Sequence, residues 1–266
     1  MHATERERLI LSELSRSGFI SYRELEATLE ASAATIRRDL SRLEEAGQLL
    51  RVHGGAKLAD HPGNESEPTL SGTPFSKSIT QNLAAKQAIG KAAASLCAPS
   101  EGIMIDGGTT TLQMCPHLDP LGLQVLTNSL HIVNALLPQE NTRLLVPSGS
   151  IFREQNIILA PAGEESMPHF HAPKLFLGAA AVGKQGVMQA DVILVAAERR
   201  LIDRADEVVL LVDSSKFRRS SGAVVCGLDE VDVIVTDNYV DEEIVKAIED
   251  LGVRFVIVPV EGSKPT

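Results

Sequence analysis

The chain has 266 residues, 25 basic against 35 acidic side chains (net charge −10), and 44 % hydrophobic residues, but only 3 % aromatics and no Trp. That length fits one or two domains with an aliphatic core and excludes wholesale disorder. No apolar run approaches the ~20 residues of a membrane span, and the charged residues 1–6 are unlike the start of a signal peptide. Cys97, Cys115 and Cys226 are too scattered for a disulfide framework or a zinc ribbon, so the expected setting is a reducing cytoplasm.

The acidity is unevenly placed. Residues 1–57 hold nine Lys/Arg and nine Asp/Glu, so the whole excess lies beyond them. The two parts are expected to have different jobs. Residues 59–74 are rich in Pro, Gly and Ser and have no apolar period, which is the composition of a linker. The expected organisation is therefore a small domain over 1–58, a linker over 59–74 and a larger domain over 75–266.

Residues 6–15 carry Ile10, Leu11 and Leu14 on one helical face, and Ser17-Gly18 ends that helix. Ser21 precedes Tyr22, Leu25 and Leu29, a second short helix with Glu24 as capping partner. A third starts at Ser32, buries Ile36, Leu40 and Leu43, and stops at Gly47. Residues 49–52 and 56–58 flank His53-Gly54-Gly55 as a strand, a glycine turn and a return strand. Three short helices and a hairpin describe a winged helix-turn-helix.

With the apolar stripe inward, helix three turns Ala34, Arg37, Arg38, Ser41 and Arg42 outward, with Thr35 in its first turn. Small residues permit close approach to a major groove, and arginine grips guanine or phosphate. Arg51 and His53 lie on the hairpin, where a wing touches the backbone or the minor groove. The competing reading is a solvated helix face, with Arg37 paired to Ser41 or Glu44 and Asp39 to Arg42.

After the linker, apolar strands alternate with helices. The pattern predicts a helix over 83–96, a strand over 102–105, a helix from about 109, a strand over 123–126 and a helix from about 129. It continues with strands over 143–146 and 175–177, a helix over 191–205, strands over 208–212 and 233–235, a helix over 241–251 and a strand over 255–258. This is the signature of an α/β domain with a mostly parallel sheet covered on both faces.

Ligands bind such sheets beyond the carboxyl ends of the strands. Three polar loops fall there: Asp106-Gly107-Gly108-Thr109-Thr110-Thr111, Thr127-Asn128-Ser129 and Asp213-Ser214-Ser215-Lys216. Glycines admit a ligand close to the backbone, helix N-termini attract anions, and a lysine neutralises phosphate or carboxylate. Taken singly, each loop also reads as a tight turn, an N-cap or a surface lysine. Their convergence on one sheet points to a single anion pocket. His169 and His171 read as a loop pair rather than a metal site, since no third ligand is near in sequence. Glu198-Arg199-Arg200 reads as a solvated helix face, with Glu198 reaching the pocket only if its helix borders it. No cofactor or metal is expected, and no catalytic residue.

Two segments are familiar. Ser32-Ala-Ala-Thr-Ile-Arg-Arg-Asp-Leu40, Leu43-Glu-Glu-Ala-Gly47 and Arg51-Val-His-Gly-Gly-Ala56 resemble the N-terminal signature of the DeoR family of bacterial transcription regulators. Asn82, Lys86, Asp106-Gly-Gly-Thr-Thr110, Thr127-Asn128, Phe176-Leu-Gly178 and Asp213-Ser-Ser-Lys-Phe217 resemble that family's effector domain. The resemblance implies a winged helix-turn-helix on operator DNA, contacted through Thr35, Arg37 and Arg38. It implies a second domain similar in fold to ribose-phosphate isomerases and CoA transferases, sensing a phosphorylated sugar or related intermediate. Lys86, Asp106, Gly107, Gly108, Thr109, Thr110, Thr127, Asn128, Gly149, Asp213 and Lys216 would line its pocket. The chain departs from the family pattern at Ala85, Gly107, Ser148 and Pro173, where Glu, Ser, Gly and Asp are usual.

The expected function is thus a repressor of a carbohydrate catabolic operon, a homo-oligomer (dimer or tetramer) rather than an enzyme. The alternatives are a sugar-phosphate isomerase or CoA transferase carrying a DNA module, and an adaptor whose winged helix binds protein. An isomerase needs a poised base; Asp106 and Lys216 would make only half of such a site, so catalysis is not the expected reading.

Overall fold

The computed structural model describes residues 3–17, 19–21, 25, 28–29, 31–45, 48–52, 55–58, 75–159 and 168–261. The chain forms two compact units, Met1–Glu67 and Pro68–Thr266. The predicted linker over 59–74 and the wing residue His53 lie outside the described residues.

In the first unit, helix α1 (Ala3–Ser17) and helix α2 (Ala33–Glu45) pack with a three-stranded antiparallel sheet in the order β1 (Phe19–Ser21), β3 (Gly55–Leu58), β2 (Leu49–Val52). The predicted hairpin is present, with Leu49 opposite Leu58 and Val52 opposite Gly55. Strand β1 is an addition to the predicted elements; it supplies a third strand by pairing Ile20 with Ala56. Of the predicted second helix, Leu25, Thr28 and Leu29 are described as helical, and its capping partner Glu24 lies outside the described residues. Ile10, Leu14, Ile20, Leu25, Leu29, Ile36, Leu40, Leu43, Leu49 and Ala56 form one aliphatic core. The 3.6-residue period of each helix supplies that core, as the sequence predicts.

The second unit is built on a seven-stranded sheet. Its order is β15 (Arg254–Val258), β14 (Val233–Asp237), β12 (Ala205–Leu211), β9 (Ala172–Gly178), β4 (Gly102–Ile105), β5 (Gln124–Leu126), β6 (Arg143–Leu145). All six neighbouring pairs are parallel. Its strands read as unbroken apolar runs because both faces are covered. Successive side chains alternate between two cores. Ile103, Ile105, Val209, Leu211, Val233 and Val235 enter one, while Met104, Val208, Leu210 and Ile234 enter the other.

Helices α4 (Leu83–Ala94) and α5 (Leu130–Leu136) contribute Ile89, Ala93, Ile132 and Leu136 to the first core. Helices α6 (Val192–Ile202) and α7 (Glu242–Glu249) contribute Leu201, Ile202 and Ile248 to the second. A short helix α3 (Phe75–Ser78) opens the unit, its Phe75 ring stacked on His131 with centroids 4.0 Å apart.

Two expectations are corrected. The helix expected from about residue 109 is a 3-10 segment, Thr111–His117, with Pro116 inside it. Pro116 has no N–H to give, and the Thr111 hydroxyl bonds back to the Asp106 and Gly108 carbonyls at 2.8 and 3.0 Å, so a regular α-helix is interrupted. That segment is pressed against Gly90 of α4, where a Cβ would fall 2.5 Å from the Gln113 carbonyl carbon. The strand–helix alternation also missed two antiparallel additions. One is the hairpin β7 (Ser150–Phe152)/β8 (Ile157–Leu159), and the other a sheet of β10 (Ala181–Gly183), β11 (Gly186–Gln189) and β13 (Ala223–Cys226).

Candidate functional site

The first unit presents the arginine face of α2. Ser32 caps the helix, its Oγ accepting from the Thr35 N–H at 3.3 Å and lying 2.9 Å from the Thr35 hydroxyl. Arg37 and Arg38 are exposed and make no ion pair among the described residues. Their neighbour Asp39 is only 1 % exposed, which the sequence did not suggest. It takes two bonds from Arg6, at 2.7 and 3.2 Å, and a third from Arg42, which also meets Glu7 at 3.3 Å. Arg42 is therefore partly committed to holding α2 against α1, whereas Arg37 and Arg38 remain available. Thr35, Arg37, Arg38, Ser41 and Arg42 share one open depression of about 610 Å³ with Arg6 and Asp39. Arg51 lies on β2.

In the second unit the strand order reverses between β4 and β9, although the strands stay parallel: the chain order runs β4, β5, β6 to one side and β9, β12, β14, β15 to the other. A crevice forms at such a switch point. The strand ends meeting there carry Asp106 after β4, Thr127-Asn128 after β5, Gly178 closing β9 and Asp213 after β12. The loops after β5 and β4 thus stand at adjacent strand ends, and the loop after β12 stands one strand further on, across the end of β9 at Gly178.

Asp106 is buried, and its N–H donates to the Phe176 carbonyl at 2.9 Å. Burial raises its carboxyl to about 6, against the pull of hydrogen bonds from the Gly107 N–H and the Asn128 side chain. A Cβ at Gly107 would fall 2.7 Å from Cγ2 of Ile157 on β8. The β7/β8 hairpin is held beside it by Ile158 N–H to Asn128 O, at 2.8 Å, and Leu130 N–H to Asn156 O, at 2.9 Å. Thr127 and Ser129 serve the local turn. The Thr127 hydroxyl oxygen accepts from the Ser129 N–H at 3.1 Å, and Ser129 caps α5. Thr110 is buried, and Thr109 lies 3.4 Å from the Ser78 hydroxyl. Gly149 is exposed ahead of β7.

The cations come from two elements. Lys86 on α4 is 2 % exposed, and its Nζ donates to the Ser78 carbonyl at 2.5 Å. Burial lowers its pKa to about 8; Asp213 opposes the fall, and Lys216 and Arg219 add to it. Burial likewise lowers the pKa of Lys216, which follows Asp213 in a short 3-10 turn. Asp213 accepts from the Ser215 N–H at 3.1 Å, from the Ser215 hydroxyl and from Asn82 Nδ2 at 3.2 Å, and Asp237 anchors the Ser214 N–H at 2.7 Å.

Residues 6–61 match the family model of the DeoR-like helix-turn-helix domain, and residues 81–238 that of the DeoR C terminal sensor domain. The chain belongs to the DeoR family. Its DeoR relatives include an aga operon transcriptional repressor of Escherichia coli O157:H7, 30 % identical over 96 % of this chain and 94 % of that one. They also include the HTH-type transcriptional regulator UlaR of Escherichia coli (strain K12 / DH10B), 28 % identical over 97 % of this chain and all of that one. Among solved structures, a ribose 5-phosphate isomerase A from Methanocaldococcus jannaschii is 18 % identical over 50 % of this chain and 53 % of that chain, with a TM-score of 0.37.

One residue of this DeoR sensor unit is misread by the sequence. Glu198, expected on a solvated face, is 3 % exposed; Arg199 instead faces outward, bonded to Glu230 at 2.6 Å. A one-in-four period was the available signal: Glu198 shares a face with buried Leu201 and Ile202. Among the described residues no three His, Cys, Asp or Glu side chains gather as metal ligands. His171 bonds Asp206 at 2.7 Å. No described helix is long and apolar enough to cross a membrane.

The Asp106 carboxyl gives a stability test. Its pKa is raised in the fold, from 3.8 to about 6, so ionisation opposes folding. The cost grows between about pH 4 and 6 and is complete above, at roughly 3 kcal/mol. Asp106→Asn is therefore expected to melt higher than wild type at pH 7.5, with the advantage fading towards pH 4. A lower melting temperature at pH 7.5 in calorimetry would show that the carboxylate is fully satisfied.

Proposed function

We propose that the chain is a DNA-binding transcriptional regulator that represses a carbohydrate catabolic operon. It leaves its operator when a phosphorylated sugar or related intermediate binds at the β5–β4–β9–β12 strand ends. One arrangement carries the sensing half: Lys86, buried on α4 and interacting with Asp213, and Lys216, in the turn after β12, bring two cations together beside one strand end of an otherwise acidic domain, and burial lowers the pKa of both. Burying an ammonium is unfavourable until an anion arrives, so the energy of anion binding is stored in the unliganded pocket. The Gly107 and Gly108 loop offers backbone to the same anion. Asn128 and Asp213 offer buried acceptors, Asn128 Oδ1 and Asp213 Oδ2, that have no partner among the described residues.

The DNA half rests on the exposed Arg37–Arg38 pair at the N-terminal part of α2, with Thr35 and Ser41 beside it. One such helix reads only a few base pairs, so useful specificity calls for a homo-oligomer on paired half-sites. The aga operon repressor supports repression as the sign of control. A gel shift of the full chain on its own upstream DNA tests the whole reading. Addition of one member of a panel of sugar phosphates is expected to release the DNA. A complex that forms but resists every member would sink the inducer mechanism.

A further inference from the structure

Glu198 is a buried carboxyl that the three loops do not explain. Its Oε1 accepts from Gln189 Nε2 at 2.7 Å, while Oε2 is buried with no hydrogen-bond partner among the described residues. Gln189 Nε2 also donates to the carbonyl of Gly178 at 3.2 Å. Gly178 ends β9, and its Cα is 3.9 Å from where a Gly108 Cβ would stand. A short bonded chain therefore runs from α6 to the β4–β9 switch point. The charge of Asp106 adds to the burial that holds Glu198 well above the usual carboxylate range.

A half-satisfied buried carboxyl is costly, and an apolar residue on that face of α6 would pack beside Leu201 and Ile202 without the cost. Gln189 fixes one oxygen and so aims the other. A ligand anion is disfavoured there, because Asp106 lies close enough to repel it. A hydroxyl both donates and accepts, so it satisfies Oε2 whether or not Glu198 holds a proton. Asn128 Oδ1, also buried and unpartnered, belongs to the same row of strand ends.

We propose that Glu198 binds a hydroxyl of the effector, so that the lysines take the anionic end and Glu198 discriminates the polyol end. This rests on the sensor reading above. A site built to hydrogen-bond a hydroxyl discriminates strongly against ligands that lack it.

The test is calorimetric titration of the full chain with inorganic phosphate, ribose 5-phosphate and ribitol 5-phosphate. Wild type is compared with Glu198→Met, Glu198→Gln and Lys216→Ala. Glu198→Met keeps the volume and leaves Gln189 its bond to Gly178, so its melting temperature is expected to be no lower than wild type. The wild type is expected to bind an ester more tightly than inorganic phosphate. Glu198→Met should lose about tenfold or more on that ester and stay within twofold on inorganic phosphate. Glu198→Gln should recover most of the loss, and Lys216→Ala should weaken all three ligands. Equal loss of phosphate and ester in Glu198→Met, or no loss of either, overturns the assignment. A Glu198-dependent ester preference that survives Lys216→Ala unweakened supports Glu198 and overturns the lysine reading alone. A wild type that binds none of the three overturns both.

Discussion

Arg38→Ala is expected to weaken operator binding by the full chain by about 10- to 100-fold, the range for loss of a specific arginine–base contact. Arg38 carries this expectation rather than Arg42 because of their partners. Arg42 is engaged by Asp39 and Glu7, whereas Arg38 is exposed and unpaired among the described residues. Loss of a base contact removes preference for the operator over unrelated DNA. Loss of a phosphate contact weakens both alike and flattens the salt dependence. Gel-shift titrations on operator and competitor DNA at several salt concentrations separate the two. Effector binding, read by calorimetry on the same variant, is expected to stay within twofold. Unchanged operator affinity would remove α2 from the DNA interface.

Lys86→Met is expected to weaken binding of a phosphorylated effector by about 30-fold or more, since it removes a buried, charge-assisted contact. It also carries a pH signature. Burial lowers the Lys86 pKa from 10.5 to about 8, so the unfolded chain binds more protons than the folded one between those values. Stability of the unliganded wild type is expected to rise from pH 8 towards 10.5 by roughly 3 kcal/mol on this account, and to lack this rise below pH 8. Lys216, lowered in the same direction, adds to the rise. In Lys86→Met most of that rise should vanish, and the unliganded variant should melt above wild type at neutral pH. Bound phosphate should flatten the wild-type rise, because it favours the charged ammonium. A Lys86→Met variant that binds effector normally would place the anion elsewhere.

Much of the site was legible one residue at a time. The Ile36–Leu40–Leu43 stripe turned Arg37 and Arg38 outward, and Ser32, Ser129 and Asp191 announced helix starts that the structure places at their caps. These signals are local, since capping and amphipathic period act over one or two turns. The pairing of Asp39 with Arg42 was legible but its burial was not, and Glu198 was misread for the same reason. Each is charged, and charge on a helix argues for solvent until a distant partner is known. For Asp39 that partner is Arg6, 33 residues away; for Glu198, on helix α6, it is Gln189 on strand β11.

The sequence by itself determined the winged helix-turn-helix elements, the apolar strands of a covered parallel sheet and the polar loops that end them. Apolar period and turn residues suffice for those because they act within single elements. Only the tertiary structure decided that β9 lies between β4 and β12, that β1 completes the wing sheet, and that α6 delivers Glu198 towards Asp106. Strand adjacency is a choice between distant segments of similar apolar pattern, settled by how two cores fill at once. That choice places Asp106 and Asn128 at adjacent strand ends and Asp213 one strand away, across the end of β9.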